Sequence, residues 1–396
     1  MFYRVSTAVI APNLMQDLNL NAEMLGILGG AFFYSFALLQ IPIGPMLDRM
    51  GPRIIVTLFP IIGALGSFLF AFGNSFKAVL LGRVLIGVGM TPILMGTLKV
   101  YTFRFRPDQF ATLVGTTLSV GTLGTILAAS PLAYLAHTIG WRMTFVLTGF
   151  VTICFALSVS WALGGEEKKE NTIASSSSFK PDIGILQSLQ LILRSLSFWQ
   201  IGATAFFRSG TFFCLQGLWL GPYLMDTKAY SSIQTGNVLS LLAVGTIIGG
   251  PVSGRLSDKI FRSRKKVALG GLSLYTFSLL PLLGILNIQS PIGYALIFLL
   301  IGFFNGFGMV VFSHAKELFP IHISGTVMAG VNFFSQAGVA VFMPALGKII
   351  ECFPRMGHVY PAKAYHLAFL ICFLGMVVSV IFYAFSRPSF HKETLL

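Results

Sequence analysis

The chain has 396 residues, of which 55% are hydrophobic and only 10% charged, and its mean hydropathy is +0.81. A soluble globular protein normally has about 25% charged residues, so this composition excludes an ordinary soluble enzyme. The net charge of +14 does not indicate a nucleic-acid partner, because the basic residues separate apolar runs instead of clustering on one polar face. The four cysteines are far apart and form no C-x-x-C pair, so we predict neither a metal site nor a disulfide framework.

Twelve apolar runs follow one another along the chain, separated by polar or charged turns. They cover approximately residues 1–14, 24–46, 54–73, 78–103, 111–137, 143–163, 197–225, 234–254, 267–287, 291–315, 323–350 and 364–386. Most exceed the roughly 17 residues that a helix needs to cross a bilayer. The first offers only about 14 residues, or about 21 Å of helix against a hydrocarbon core of about 30 Å. We therefore expect the natural start to lie upstream of Met1; a signal peptide is the competing interpretation, disfavoured by the short apolar stretch between Val5 and Ala11.

A polar stretch at residues 164–196 divides the apolar runs into two groups of six. Its Glu, Lys and Ser residues are typical of a flexible linker. The two groups are related by a repeat, since Pro12 and Pro222 lie in similar local sequences 210 residues apart, as do Asp48 and Asp258. We predict duplicated halves at residues 1–163 and 197–386, followed by a tail at residues 387–396.

The Lys and Arg residues are distributed unevenly between the two sets of alternating loops. Most of the 27 fall in the set that includes the linker and both chain ends. Because cytoplasmic loops retain Lys and Arg, we expect the linker and both termini to face the cytoplasm.

A motif of glycines and charged residues joins the second and third runs, and it recurs between the eighth and ninth. Its two copies comprise Gly44, Asp48, Arg49, Gly51, Arg53, Gly254, Asp258 and Lys259. The pattern resembles the G-x-x-x-D-R-x-G-R signature of the major facilitator superfamily, and the resemblance covers nearly the whole chain. It implies an all-α membrane protein with twelve transmembrane helices in two pseudo-symmetric six-helix halves. The charged residues would pair as a cytoplasmic gate; the alternative is a charged turn that only determines topology.

A second motif lies in the fourth run and consists of Arg83, Gly87 and Gly89. It resembles the fourth-helix arginine motif of the same family, which supports membership but does not indicate a substrate. Arg83 is six residues from Lys77, or about 9 Å of helical rise, so its side chain has the alternative of extending to the membrane surface.

Two arginines, Arg4 and Arg208, lie near the middle of apolar runs, whereas all 13 acidic residues lie in loops or at the ends of runs. A cation buried in a membrane costs at least about 2.5–3.5 kcal/mol, so it needs carbonyl groups, water or an anion as a partner. An anionic substrate would supply that partner. The resemblance is closest to branches of the family that move organic anions and phosphate esters; the alternative is a structural arginine bonded to backbone carbonyls.

Polar and aromatic residues inside the apolar runs complete the predicted substrate site. Helical spacing places Phe212, Gln216 and Trp219 on the same face as Arg208. Further candidates lie in the second, tenth and eleventh runs, although each alone is also typical of contacts between helices. They are Tyr34, Gln40, Asn305, Asn332 and Gln336.

These patterns predict a secondary active transporter of a small, anionic organic solute that works by alternating access, as a symporter or an anion exchanger. We expect a monomer in the cytoplasmic (inner) membrane, with a proton or a counter-anion as the coupling ion. No nucleophile and base or phosphate-binding loop is legible, so we predict no catalytic residue, no cofactor and no enzyme activity. One alternative is a transporter or exporter of neutral or hydrophobic solutes, in which the arginines are structural. Another is a sensor with a transporter fold that binds a solute without moving it.

Overall fold

A computed structural model describes residues 1–105, 109–164, 190–285, 290–319, 323–355, 357 and 359–388. The ordered elements within these ranges are all helices, which confirms the predicted all-α class. Most of the predicted linker and tail fall outside the described residues, so the domain boundaries stay predictions. The side chain of Asp48 and the surroundings of Gly44 also lie outside the described part.

In the part of the chain before the linker, here called the N-terminal half, the described residues form eight helical elements. They are α1 (Phe2–Val5), α2 (Thr7–Leu18), α3 (Ala22–Phe72), α4 (Phe76–Met90), α5 (Ile93–Arg104), α6 (Phe110–Leu127), α7 (Ser130–Thr138) and α8 (Gly140–Ala162).

In the part after the linker, the C-terminal half, the described residues form eight α-helices, and shorter turns of other helix types interrupt them. The α-helices are α9 (Leu196–Cys214), α10 (Leu220–Lys228), α11 (Ser232–Arg255), α12 (Arg264–Ser278), α13 (Pro291–Gly306), α14 (Met309–Leu318), α15 (Ser324–Glu351) and α16 (Ala362–Ala384). Two π-helical turns, Leu215–Trp219 and Leu256–Ile260, follow α9 and α11, and a 3₁₀ turn, Leu280–Leu283, follows α12.

Ten helical segments in the described residues are long and apolar enough to cross a membrane. The two predicted runs without such a segment are the first, which forms α1 and α2, and the seventh, which forms α9 and α10 with a π turn between them. The fold therefore agrees with the predicted architecture, whereas the count of twelve transmembrane helices stays a prediction.

Local sequence explains where several of these helices begin and bend. The Asn21 side chain accepts a 2.8 Å hydrogen bond from the Met24 backbone N–H at the start of α3, as expected for an N-cap. Ser231 and Gln234 form a reciprocal capping box at the start of α11. Helix α3 contains two membrane-length segments, Ala22–Gln40 and Arg49–Phe72. It bends near the start of the second at Gly51, whose φ of 74° is readily adopted only without a β-carbon.

The two halves meet closely toward the end of the molecule that lies opposite the linker, here called the far end. It carries the connections at residues 19–21, 229–231, 352–355 and 359–361. A β-carbon on Gly26 of α3 would lie 2.6 Å from the Met343 carbonyl oxygen of α15, and one on Gly221 of α10 would overlap the Ala8 carbonyl. Glycines thus allow backbones of the two halves to touch toward the far end.

Candidate functional site

Arg4 lies at the seam between the two halves. Its guanidinium Nη2 donates a 2.6 Å hydrogen bond to Oε1 of Gln336 on α15. The Gln336 amide then donates a longer bond, 3.4 Å, to Oδ1 of Asn332 one turn earlier. Arg4 of α1 therefore contacts Gln336 of the opposite half, and Gln336 contacts Asn332. All three are residues that the sequence predicts for the substrate site.

Aromatic rings surround the Arg4 guanidinium on both sides of this seam. Its central carbon lies 4.7 Å from the ring centre of Phe213, 5.4 Å from Phe33 and 5.6 Å from Phe36. Rings at such distances stabilise a cation by about 0.5–2 kcal/mol each, depending on how far it is removed from water. The rings hold the charge in place but supply no hydrogen-bond acceptor.

Arg4 also lines a cavity of about 170 Å³ in the N-terminal half. Tyr3, Phe32 and Phe36 form part of its wall, and Thr117 contributes a hydroxyl group. Within the described residues neither Arg4 nor Arg208 pairs with a carboxylate, and the buried Nε of Arg4 has no hydrogen-bond partner. The cavity therefore combines an apolar wall with a cation that still has capacity to bind an anion.

Arg208 is held differently, entirely by its own half. Its Nη1 donates to Oδ1 of Asn305 at 2.9 Å and to the Asn305 carbonyl at 3.4 Å, and its Nη2 donates to the Ser209 hydroxyl at 3.2 Å. A β-carbon on Gly308 would overlap the Arg208 side chain, so the break between α13 and α14 leaves room for it. This arginine joins α9 to α13 and is 5% exposed.

The two arginines are connected through a short polar relay. The hydroxyl groups of Ser209 and Ser335 share a hydrogen bond between α9 and α15. Ser335 precedes Gln336, the partner of Arg4. The hydrogen-bonded chain from Arg208 thus ends one residue away from the amide that contacts the opposite half.

The helical face predicted for α9 is interrupted by the π turn at Leu215–Trp219. The indole N–H of Trp219 donates to the Met343 carbonyl at 3.3 Å, and its ring is buried between helices. Gln216 lines a narrow crevice between the halves together with Val5 and Val9, and Phe212 packs against Phe213. The extra residue of a π turn changes which side chains share a face.

Tyr34 and Gln40 of α3 are not among the residues that line the 170 Å³ cavity. The Tyr34 side chain is 46% exposed, and Gln40 is half-buried. Their assignment to the substrate site stays a prediction, as does that of Phe212, Gln216 and Trp219.

The second copy of the charged motif forms an ion-pair cluster at the linker end. Arg264 pairs with Asp258 and, through Nε, with Glu317 at 2.9 Å. Its Nη1 also donates to the hydroxyl of Ser257 at 3.0 Å. Lys259 is exposed. The motif aspartate, Asp258, pairs with Arg264, six residues further along the chain.

The first copy is described only in part. Arg49 is exposed, Gly51 supplies the bend in α3, and Arg53 is half-buried with its guanidinium near Gly164. In the second copy, Gly254 has open space where a β-carbon would lie, so close packing does not require a glycine there. The gating role of both copies stays a prediction.

The fourth-helix motif has an unexpected environment. Arg83 is fully buried, and all three of its guanidinium nitrogens lack a hydrogen-bond partner among the described residues. Its central carbon lies 5.3 Å from the ring centre of Phe32, a residue that also lines the 170 Å³ cavity. Its side chain does not extend to the surface. Gly87 and Gly89 face the backbone of α3 too closely for a β-carbon, which explains the glycines of this motif.

Sequence reasoning did not identify several residues of these sites. In a chain with 38 phenylalanines, the sequence gives no separate signal for the three rings around Arg4, which belong to Phe33, Phe36 and Phe213. Arg264 and Glu317 belong to charged turns that are distant in sequence.

The fold and the site together define a helical membrane protein of two halves with a cationic seam between them. The Major Facilitator Superfamily profile matches residues 1–344 and 218–395. This chain belongs to the Major Facilitator Superfamily.

Among similar proteins is a hexuronate transporter of Bacillus subtilis, 24% identical over 266 residues, which are 65% of this chain and 61% of that protein. A probable sulfoacetate transporter of Cupriavidus necator is 22% identical over 65% of this chain and 62% of its own length. The chain thus matches about three fifths of these two relatives. A probable galactarate/D-glucarate transporter of Escherichia coli is 23% identical over 88% of this chain and 83% of that protein.

Two solved structures share the fold. A bacterial homolog of the human lysosomal transporter Spinster aligns with a TM-score of 0.76 and 16% identity, covering 97% of this chain and 93% of its own. A D-xylose–proton symporter aligns with a TM-score of 0.75 and 15% identity, covering 98% and 95%. Both likenesses concern the fold alone.

Proposed function

We propose that this protein is a secondary transporter of a small organic anion and works by alternating access between its two halves. The observation that carries the proposal is the position of Arg4. It lies at the seam, lines a cavity, contacts the opposite half through Gln336, and pairs with no carboxylate among the described residues. An anion bound to Arg4 in this cavity would add to or displace the Gln336 contact, and it would in this way influence the equilibrium between the two halves.

The proposed substrate is a compact carboxylate of the sugar-acid type. The relatives are named for hexuronate and for galactarate or glucarate, which are carboxylates. The cavity of about 170 Å³ is small beside the 300–1,000 Å³ typical of pockets for drug-sized ligands. A guanidinium matches a carboxylate with two parallel hydrogen bonds, which suits Arg4 for this class.

Arg4 is the primary ligand in this proposal, and Gln336 and Asn332 complete the polar wall. Arg208, with Asn305, would support the site from behind through the Ser209–Ser335 hydrogen bond, since its guanidinium already donates to Asn305 and Ser209.

The remaining parts of the proposal follow the charge distribution of the chain. The protein would lie in the cytoplasmic membrane as a monomer, with the linker and both termini in the cytoplasm. The charged motifs at the linker end would form the cytoplasmic gate. The coupling ion would be a proton or a counter-anion.

The test compares matched ligands on purified, detergent-solubilised protein. D-Glucuronate and D-glucose differ mainly by one carboxylate, so a rise in thermal stability with the first alone isolates the charge. A ligand at about 100 times its Kd adds about 2.7 kcal/mol to a reversible unfolding equilibrium. We expect the rise to disappear in Arg4→Ala and to persist in Lys77→Ala, a control that removes an exposed cation. Galactarate and phosphate esters extend the panel.

A transporter of hydrophobic solutes is the second candidate, because Phe32, Phe36 and Met90 make most of the cavity wall apolar. Stabilisation by uncharged solutes alone, retained in Arg4→Ala, would establish this candidate and overturn the first. Uptake of the stabilising ligand into liposomes then separates a transporter from a sensor, since a sensor binds without flux.

A further inference from the structure

A polar contact joins the two halves at the far end, away from Arg4 and its cavity. The backbone N–H of Ala22, the first residue of α3, donates to the carboxylate Oε2 of Glu351 at 2.9 Å and to the hydroxyl of Tyr360 at 3.0 Å. Glu351 ends α15, and Tyr360 lies in the connection that follows it. The Tyr360 hydroxyl donates in turn to the same carboxylate oxygen. We call these three residues the far-end latch.

The C-terminal side of the far-end latch is anchored within its own half. The Tyr360 backbone N–H donates to Oδ2 of Asp226 at 3.2 Å, and the Tyr365 hydroxyl donates to the same oxygen at 2.6 Å. Burial raises the pKa of Tyr360 to about 12, so its hydroxyl remains protonated and able to donate at physiological pH. Glu351 and Tyr360 therefore present a fixed acceptor pair to α3.

The N-terminal side of the far-end latch favours a negative partner. Ala22 is fully buried, and the first N–H groups of a helix have no acceptor within that helix. The helix dipole also favours a carboxylate at this position. When the halves separate at the far end, the Ala22 N–H and the Glu351 carboxylate must part.

We propose that the far-end latch is the outer gate contact of the transport cycle, and that the Glu351 carboxylate sets how readily the far end opens. This inference rests on the proposed alternating-access function. In this proposal, a polar contact distant from the substrate site controls the equilibrium between the inward-facing and outward-facing states.

The test measures opening directly, without substrate. Spin labels at Lys77→Cys and Ile292→Cys lie exposed at the far ends of opposite halves, in a background with the exposed Cys154 and Cys352 replaced by serine. Pulsed dipolar spectroscopy in nanodiscs then reports the ratio of open to closed molecules. With the far-end latch unaltered, we expect a narrow distribution of distances between the two labels, centred at the shorter value of the closed state.

Removing the acceptor should favour the open state. We expect Glu351→Ala to raise the open-to-closed ratio about tenfold, the effect of one hydrogen bond to a charged group. Glu351→Gln and Tyr360→Phe, which conserve volume, should give smaller increases. Glu23→Gln is the matched control, because Glu23 lies in the same first turn of α3. Its substitution removes a charge and leaves the three residues of the far-end latch unchanged.

The proposal is overturned if Glu351→Ala and Glu351→Gln leave the distance distribution unchanged, or if Glu23→Gln shifts it as much as Glu351→Gln. If Glu351→Ala is not recovered as a monodisperse protein, the two volume-conserving variants decide the result. Ligand binding in these variants is measured separately, so a failure of the proposed substrate site does not alter the outcome.

Discussion

Replacing Arg83 by methionine should stabilise the protein, although it removes the only charge of the fourth-helix motif. The guanidinium is fully buried and none of its three nitrogens has a hydrogen-bond partner among the described residues. Each unsatisfied buried group costs about 1–3 kcal/mol, so three such groups cost at least about 3 kcal/mol. The contact with the Phe32 ring returns at most about 2 kcal/mol. Methionine fills a similar volume without polar atoms, so we expect a net gain of at least about 1 kcal/mol.

Reversible unfolding in detergent measures the change, and Arg142→Met provides the matched control. The Arg142 guanidinium donates to the carbonyls of Ala71 at 2.7 Å and Gly73 at 3.0 Å, and it lies 4.5 Å from the Trp141 ring. The same substitution should therefore destabilise the protein at Arg142. A loss of stability in Arg83→Met as large as that in Arg142→Met would refute the reasoning.

Two further predictions concern contacts that hold the helices together. Asn305→Ala should reduce the free energy of unfolding by about 1.5–3 kcal/mol, because it removes the 2.9 Å acceptor of the Arg208 guanidinium; Asn305→Asp, which keeps an acceptor, should lose less in the same unfolding assay. Gly89→Ala should destabilise by about 1–3 kcal/mol, because the new β-carbon would overlap the backbone of α3. Gly250→Ala, where a β-carbon meets nothing within 4 Å, should be neutral or slightly stabilising in thermal denaturation, and equal losses at both glycines would contradict the packing argument.

Composition and motif spacing were sufficient to predict the fold class. Apolar runs and the repeated glycine and aspartate pattern depend on local sequence, and the helices and the family match confirm them. The sequence also singled out Arg4 and Gln336, which the structure brings within hydrogen-bond distance across 332 residues. Unusual residue types in an apolar helix are visible without knowing how the helices pack.

The geometry around those residues was not predictable in the same way. A constant helical spacing would keep Trp219 on the face of Arg208, but the π turn at Leu215–Trp219 changes the register within that interval. The pairing of Asp258 with Arg264 depends on how the chain turns between α11 and α12. Such features follow from packing between distant segments, whereas periodicity reports only the local helix.

Arg4 and Arg208 differ in how completely their hydrogen bonds are satisfied, and this difference separates their roles. Arg208 has acceptors from Asn305 and Ser209 and therefore fixes α9 against its own half. Arg4 has one strong acceptor on the opposite half and an unpaired Nε, so a substrate carboxylate can add to it or displace Gln336. A residue that binds and releases an anion in each cycle needs hydrogen-bond donors that protein groups do not already occupy. The anion shifts the equilibrium between states only if it binds one state more tightly than the other. Incomplete satisfaction at the seam is therefore the physical property that fits Arg4, more than Arg208, for substrate binding.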